Sequence, residues 1–218
     1  MQNETDYFED GFVSLPGLLS GEIAAAYLSV MQNAMGQSKD QQHRFLEKKR
    51  AVTEQSLELL SDNFSFSLTF LWSLTPIMEQ VTGKRLLPSY AYGRVYPKGA
   101  QLDVHSDRQS NEHSLNLTLG YSDDIPWAFS IERYKLSDDE ILNPEMKPDF
   151  GGRDFTDIAM KPGDAVAYRG VNFRHARLQP NPNVWSAHLI LGWVDRDGPF
   201  KESAFDGMAL PPPAKFYF

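Results

Sequence analysis

The sequence predicts a mainly β, α+β fold, in which N-terminal helices support an antiparallel β-sandwich or barrel. Between residues 89 and 197 the apolar segments are short, rich in β-branched and aromatic residues, and separated by Gly, Pro, Asp and Asn. Before residue 89, apolar residues recur at the three- to four-residue spacing that is typical of amphipathic helices. No long helical pattern lies between the strand-like segments, which disfavours a doubly wound parallel sheet.

The length of 218 residues suits one domain with a substantial core. Within this single domain, residues 1–218, we expect a helical support layer at 1–88, a β core at 89–197 and a C-terminal extension at 198–218.

The N-terminal elements follow from local signals. Residues 5–19 predict a short helix that ends at Gly11, followed by a strand. Ser20 is a suitable N-cap for a helix at 21–36. A second helical region is expected over 53–82, although Pro76 lies inside it. The face of the first helix that should be buried carries Ile23, Tyr27, Val30, Met31 and Met35.

Five strands are expected in the second half: Tyr90–Tyr96, Ser114–Tyr121, Trp127–Tyr134, Ala165–Tyr168 and Ser186–Val194. In the second of these, Ser114, Asn116 and Thr118 alternate with leucines, so the polar set should share one face. Asn116 would then line an interior cavity. A strand half exposed to solvent is an alternative interpretation.

Composition and charge limit the classes of partner. The formal net charge is −8 and no basic patch is visible, so nucleic acid is not expected and a small-molecule or peptide substrate is favoured. The chain has no cysteine, which excludes disulfides and thiolate metal sites and fits a reducing cytoplasm. No apolar run is long enough for a transmembrane helix, and the acidic N-terminus does not resemble a signal peptide. The oligomeric state is left open.

Among the five histidines, His105 and His175 are the candidate metal ligands. In an extended segment, His105 and Asp107 point to the same side, so an imidazole and a carboxylate can meet one ion. A sheet folded on itself would bring His175 beside them. Two histidines and one carboxylate form a facial triad that suits ferrous iron with open coordination positions. Zinc is the competing metal for such a site. For the His-x-Asp motif taken alone, a simpler interpretation is a loop histidine that is hydrogen-bonded to an acid and binds no metal.

Several segments together resemble the 2-oxoglutarate/iron(II)-dependent dioxygenases, especially the prolyl-4-hydroxylase-like and phytanoyl-CoA-hydroxylase-like branches. These segments are DGFV at 10–13, LPGLLS at 15–20, YGRVY at 92–96, His-Ser-Asp at 105–107 and KPGDAV at 161–166 before His175. The resemblance implies a double-stranded β-helix (jelly-roll, cupin-like) core. It also implies Fe(II) on His105, Asp107 and His175, with 2-oxoglutarate and O₂ as co-substrates. Because Asp107 is present, hydroxylation is expected rather than halogenation.

The family's usual basic residue for the distal carboxylate of 2-oxoglutarate is missing, since residues 184–187 read VWSA. Arg177 is the favoured replacement, because it lies two residues after His175 and a guanidinium suits a carboxylate. Arg94 with Tyr92 is the second choice, and His188 is a weaker one. The expected co-substrate residues are therefore Arg177, Tyr92, Arg94, Asn116 and His188.

Three residues are candidates for substrate binding. Arg108 and Glu112 flank the metal ligands and could contact a polar substrate, or could pair with each other. Trp127 could form a pocket wall or belong to the core. The polar segment Lys135–Thr156 is a candidate lid.

These features predict a hydroxylase of a small polar or amino-acid-like metabolite. The alternatives are a prolyl-type protein hydroxylase and a cupin-like metal-binding module without oxygenase activity.

Overall fold

The computed structural model describes residues 6–207 and 215–216. The strands are β1 (Phe12–Leu15), β2 (Leu46–Glu47), β3 (Ser56–Leu60), β4 (Leu86–Pro97), β5 (Leu102–His105), β6 (His113–Tyr121), β7 (Phe129–Glu132), β8 (Phe155–Ile158), β9 (Ala165–Tyr168), β10 (His175–Arg177) and β11 (Trp185–Asp195). The α-helices are α1 (Gly21–Met35), α2 (Lys39–Gln42), α3 (Phe66–Thr82) and α4 (Asp138–Leu142). Short 3-10 segments occupy His43–Phe45, Gln109–Asn111 and Lys201–Gly207.

The strands form two antiparallel sheets that pack face to face. The larger sheet has seven strands in the order β1-β9-β6-β11-β4-β3-β2, and the smaller has four in the order β5-β10-β7-β8. Apolar side chains from both sheets meet in one interior cluster, which includes Tyr96 and Tyr168 from the larger sheet and Phe129 and Ile131 from the smaller. The molecule is therefore mainly β, with antiparallel sheets and a few helices.

The outer face of the larger sheet is covered by α1 and α3. Leu115, Leu117 and Leu119 of β6 are buried in the same cluster as Met31 of α1 and Met78 of α3. Alternation along β6 sends its polar residues to the other face, toward the interior between the sheets. One face of the larger sheet thus packs against helices, and the other faces the smaller sheet.

Three N-terminal expectations need correction. Residues 56–60 form β3 rather than helix, because Leu57 pairs with Val95 of β4 in an edge strand. The expected short helix before Gly11 is a turn, closed by the hydrogen bond from the amide of Asp10 to the carbonyl of Asp6. In α1 the buried residues are Ala24, Tyr27, Met31 and Met35, whereas Ile23 and Val30 are 49% and 40% exposed.

All five strands expected in the second half are present, with ends that differ by up to four residues. β5, β8 and β10 are additional short strands, and together with β7 they form the smaller sheet. Of the expected extension at 198–218, residues 208–214 and 217–218 lie outside the described residues. Within the described part, no helix has the length and hydrophobicity required to span a bilayer.

Candidate metal centre

The side chains of His105, Asp107 and His175 converge on one point. His105 ends β5 and His175 begins β10, and the two residues are direct partners in the antiparallel pairing of these strands. Their ring centroids are 4.4 Å apart. Oδ1 of Asp107 lies 3.9 Å from Nε2 of His105 and 3.5 Å from Nε2 of His175. One ion can therefore contact all three side chains.

Both histidines are oriented by hydrogen bonds at the nitrogen that faces away from the carboxylate. Nδ1 of His105 lies 2.8 Å from the carbonyl oxygen of Asp103, and Nδ1 of His175 lies 3.3 Å from that of Phe173. A protonated Nδ1 donates to the carbonyl and leaves the Nε2 lone pair free for a metal.

Asp107 is held in place by its neighbours. Its amide donates to the carbonyl of Gly170 at 2.8 Å, and Oδ2 accepts a hydrogen bond from the hydroxyl of Ser114 at 3.1 Å. A β-carbon added at Gly170 would lie 2.1 Å from Oδ2 of Asp107. Only a glycine leaves room for the carboxylate in this position.

The electrostatic setting favours the ligand forms of these groups. Burial, reinforced by the neighbouring His175, lowers the pKa of His105 to about 4, so its imidazole is neutral at pH 7. Burial alone would raise the pKa of Asp107, but the two imidazoles and the Ser114 hydroxyl lower it below its ordinary value. A neutral imidazole and a charged carboxylate are the forms that bind divalent metals.

The donor set fits a catalytic divalent metal better than a closed structural zinc site. Two imidazoles and one carboxylate are available, and within the described ranges no other His, Asp or Glu joins the group. A structural zinc site normally has four protein ligands, whereas a facial triad leaves positions open for other ligands. A cavity of about 500 Å³, lined in part by Asp107 and Arg108, adjoins the centre on one side.

Arg177 lies on β10, two residues after His175, and its side chain is fully buried. One guanidinium nitrogen donates to the carbonyl of Trp127, and the other lies 3.2 Å from Nδ1 of His188. Burial, together with the charge of Arg177, keeps the pKa of His188 well below its usual range, so the neutral ring accepts from the guanidinium. Arg177 forms no salt bridge with any carboxylate of the described residues, and its Nε has no hydrogen-bond partner there.

The other residues expected to bind the co-substrate differ in their surroundings. Asn116 is buried, and its Oδ1 has no partner among the described residues. Arg94 is differently placed, because its guanidinium donates to Glu58 at 3.1 Å and lies 4.8 Å from the ring centroid of Tyr92. Arg94 therefore already has a buried carboxylate, whereas Arg177 does not.

The three expected substrate residues have different positions. Arg108 lines the cavity beside the three candidate ligands, where it pairs with Asp206 at 3.1 Å rather than with Glu112. Glu112 is absent from the cavity wall and instead accepts a hydrogen bond from the amide of Asp195. Trp127 is 1% exposed, and its ring lies 4.5 Å from the guanidinium carbon of Arg177. Trp127 thus belongs to the interior around Arg177.

Part of the segment Lys135–Thr156 lines the cavity. Ile141 and Leu142 of α4 line its wall, and Leu142 is 74% exposed. Sequence reasoning missed two contributors, Gly170 and Asp206. The contacts of both residues come from distant parts of the chain, so no local pattern predicts them. Ser114 was recognised as facing the interior, but its hydrogen bond to the metal carboxylate was not predicted.

The fold is shared with solved structures, although neither a family model nor a curated protein matches the sequence. The non-haem α-ketoglutarate-dependent epimerase SnoN, from nogalamycin biosynthesis, is 12% identical with a TM-score of 0.66, covering 98% of this chain and 93% of that one. A prolyl-4-hydroxylase from Pseudomonas putida is 15% identical with a TM-score of 0.55, covering 88% and 96%. HygX from Streptomyces hygroscopicus, solved with nickel, 2-oxoglutarate and hygromycin B, is 12% identical with a TM-score of 0.59, covering 88% and 85%. At these identities the similarity establishes a common fold.

Proposed function

We propose that this protein is a 2-oxoglutarate- and O₂-dependent non-haem Fe(II) dioxygenase that hydroxylates a small polar or amino-acid-like metabolite. The observation that carries the proposal is the convergence of two histidines and one aspartate, His105, Asp107 and His175, on one point between the sheets. Proteins of the same fold include structures described as 2-oxoglutarate-dependent, which supports a double-stranded β-helix core and this cofactor set.

The three ligands would hold the iron from one side and leave its other positions open. Iron with 2-oxoglutarate and O₂ supplies the oxidising chemistry, with succinate and CO₂ as the other products. Asp103 and Phe173 fix the tautomers of the two histidines through their carbonyl oxygens. The protein's remaining task is to orient the co-substrate and substrate and to keep water away.

Arg177 is the residue that we assign to the distal carboxylate of 2-oxoglutarate. Its guanidinium is buried without a carboxylate partner among the described residues, and a buried cation of this kind favours an anionic ligand. His188 and Asn116 would complete the polar surroundings. Arg94 is less suitable, because it already pairs with the carboxylate of Glu58 at 3.1 Å.

A metabolite fits the cavity better than a protein chain does. A volume of about 500 Å³ is within the range of small-molecule sites, and residues of α4 line part of the wall. Of the shared-fold structures, HygX holds the small molecule hygromycin B. The prolyl-4-hydroxylase of the same fold is the reason to keep a protein hydroxylase as the second candidate.

The test measures succinate formed from 2-oxoglutarate under O₂ with Fe(II), in the presence of a panel of amino acids and other polar metabolites. We expect succinate that depends on a panel member, and none from the His105→Ala variant. His43→Ala, at an exposed residue away from the centre, is the matched control and should retain activity.

Calorimetric titration separates the alternatives. An oxygenase should bind 2-oxoglutarate only after Mn(II) is bound, because the co-substrate chelates the metal. A cupin-like module would bind Mn(II), but it would neither bind 2-oxoglutarate nor convert it to succinate. That result would refute the proposal. Succinate formation stimulated only by peptides would favour the protein hydroxylase.

A further inference from the structure

A second group of metal-ligating side chains lies outside the proposed active site. Glu112 and His113 stand at the start of β6, and Asp195 ends β11. One ligand atom from each residue lies within 4.8 Å of the others. His113 is paired with Trp193 across β6 and β11, so two neighbouring strands bring the group together.

Two atoms of this group are buried without hydrogen-bond partners among the described residues. They are Nε2 of His113 and Oδ1 of Asp195, and His113 is only 2% exposed. Leaving a buried polar atom unpaired is costly, and the cost is greater for a carboxylate oxygen. A ligand that both atoms can reach would remove this cost.

The spacing of the two atoms matches a shared ion better than a hydrogen bond. Nε2 of His113 lies 3.6 Å from Oδ1 of Asp195, which is too long for a direct hydrogen bond. Two ligands that each lie about 2.1 Å from one ion are separated by roughly 3.0–3.6 Å. The His–Asp distances of the proposed active site, 3.5 and 3.9 Å, are similar.

The remaining polar atoms of the group are already engaged, which leaves the ligand atoms free. Nδ1 of His113 lies 2.9 Å from the hydroxyl of Tyr7. Oε2 of Glu112 accepts from the amide of Asp195 at 2.9 Å, so Oε1 is available. Oδ2 of Asp195 has Nζ of Lys84 as an ionic neighbour at 4.0 Å.

We propose that Glu112, His113 and Asp195 bind a divalent transition-metal ion such as Zn(II). One imidazole and two carboxylates are suitable zinc ligands, and water can complete the coordination. The ion would tie the end of β11 to the start of β6 and have a structural role. This site is separate from the proposed oxygenase centre and does not depend on that function.

The test counts metal ions in a background that lacks the first centre. The full-length His105→Ala/His175→Ala variant is stripped with a chelator, titrated with Zn(II) and analysed by calorimetry and elemental analysis. We expect one Zn(II) per chain in this variant. At a hundredfold excess over Kd, Zn(II) should raise its Tm by roughly 5–10 °C.

Adding His113→Gln to this background should abolish the remaining Zn(II), whereas adding His43→Ala should not. If the glutamine variant fails to fold by circular dichroism, Asp195→Asn replaces it with a side chain of the same shape. The proposal is overturned if the background variant binds no Zn(II), or if its bound Zn(II) survives His113→Gln or Asp195→Asn. Succinate formation by wild-type protein reports on the first centre separately.

Discussion

Replacing Gly170 with alanine should weaken metal binding, although none of the candidate ligands is itself replaced. The added β-carbon would lie 2.1 Å from Oδ2 and 2.8 Å from Cγ of Asp107. Carbon–oxygen contacts are normally longer than 3 Å, so the carboxylate must move by roughly 1 Å. Gly170 is not among the glycines with positive φ, so alanine itself introduces no backbone strain there.

The expected size of the effect follows from what the movement disturbs. Residues that orient a metal ligand typically contribute 10- to 100-fold in metal affinity. That range corresponds to about 1.4–2.8 kcal/mol of binding free energy. We therefore expect Gly170→Ala to weaken Mn(II) binding at the centre by about 10- to 100-fold.

Isothermal titration with Mn(II) measures this change, in a background carrying His113→Gln so that only the first centre is counted. The matched control is Gly21→Ala, because a β-carbon at Gly21 meets nothing within 4 Å. Circular dichroism should show that both variants fold. An unchanged Mn(II) affinity in folded Gly170→Ala would refute the argument that this glycine positions Asp107.

The other predictions concern neighbouring polar groups. Arg177→Met should weaken 2-oxoglutarate binding at least tenfold, as measured by calorimetry. It should also raise or preserve Tm, because it removes a buried charge that has no carboxylate partner. A large loss of stability would contradict this expectation. Ser114→Ala should weaken Mn(II) binding severalfold in the same titration, since its hydroxyl bonds the metal carboxylate; unchanged affinity would argue against that role. Glu132→Gln should lower the free energy of urea unfolding by about 3–5 kcal/mol, because it removes the buried carboxylate charge that faces the guanidinium of Arg174. Glu145→Gln, in an exposed pair, should change it by less than about 1 kcal/mol.

Five strands of the second half were predictable because they carry their signals locally, whereas the short strands β5, β8 and β10 were not predicted. In β6 the leucines alternate with polar residues, so the leucines share one face of the strand and the polar residues share the other. The leucine face is the one that packs in the cluster with α1 and α3. β3 was misassigned because Leu57, Leu59 and Leu60 fit a helix as well as a strand. Residues 56–60 form a strand because they pair with β4, which places Glu58 opposite Arg94. The local sequence pattern does not reveal this pairing.

The part of the candidate site that was predictable is the part that depends on the order of segments along the chain. His105 and Asp107 share one extended segment, and the strand before His175 belongs to the expected core, so their convergence needed only a folded sheet. The contacts of Gly170 and Asp206 depend on how distant loops meet. Such contacts have no sequence period, which is why local patterns could not identify these two residues.

The three buried arginines of the described chain support the assignment of the carboxylate site by comparison. Arg94 has Glu58 and Arg174 has Glu132, each at hydrogen-bonding distance. Arg177 is the most buried of the three, at 0% exposure, and its partners are a carbonyl, a neutral imidazole and the rings of Trp127 and Phe129, none of which is a carboxylate. Burying an uncompensated guanidinium costs several kcal/mol. An anionic ligand would compensate this charge beside the candidate metal centre, which is the role that 2-oxoglutarate would fill.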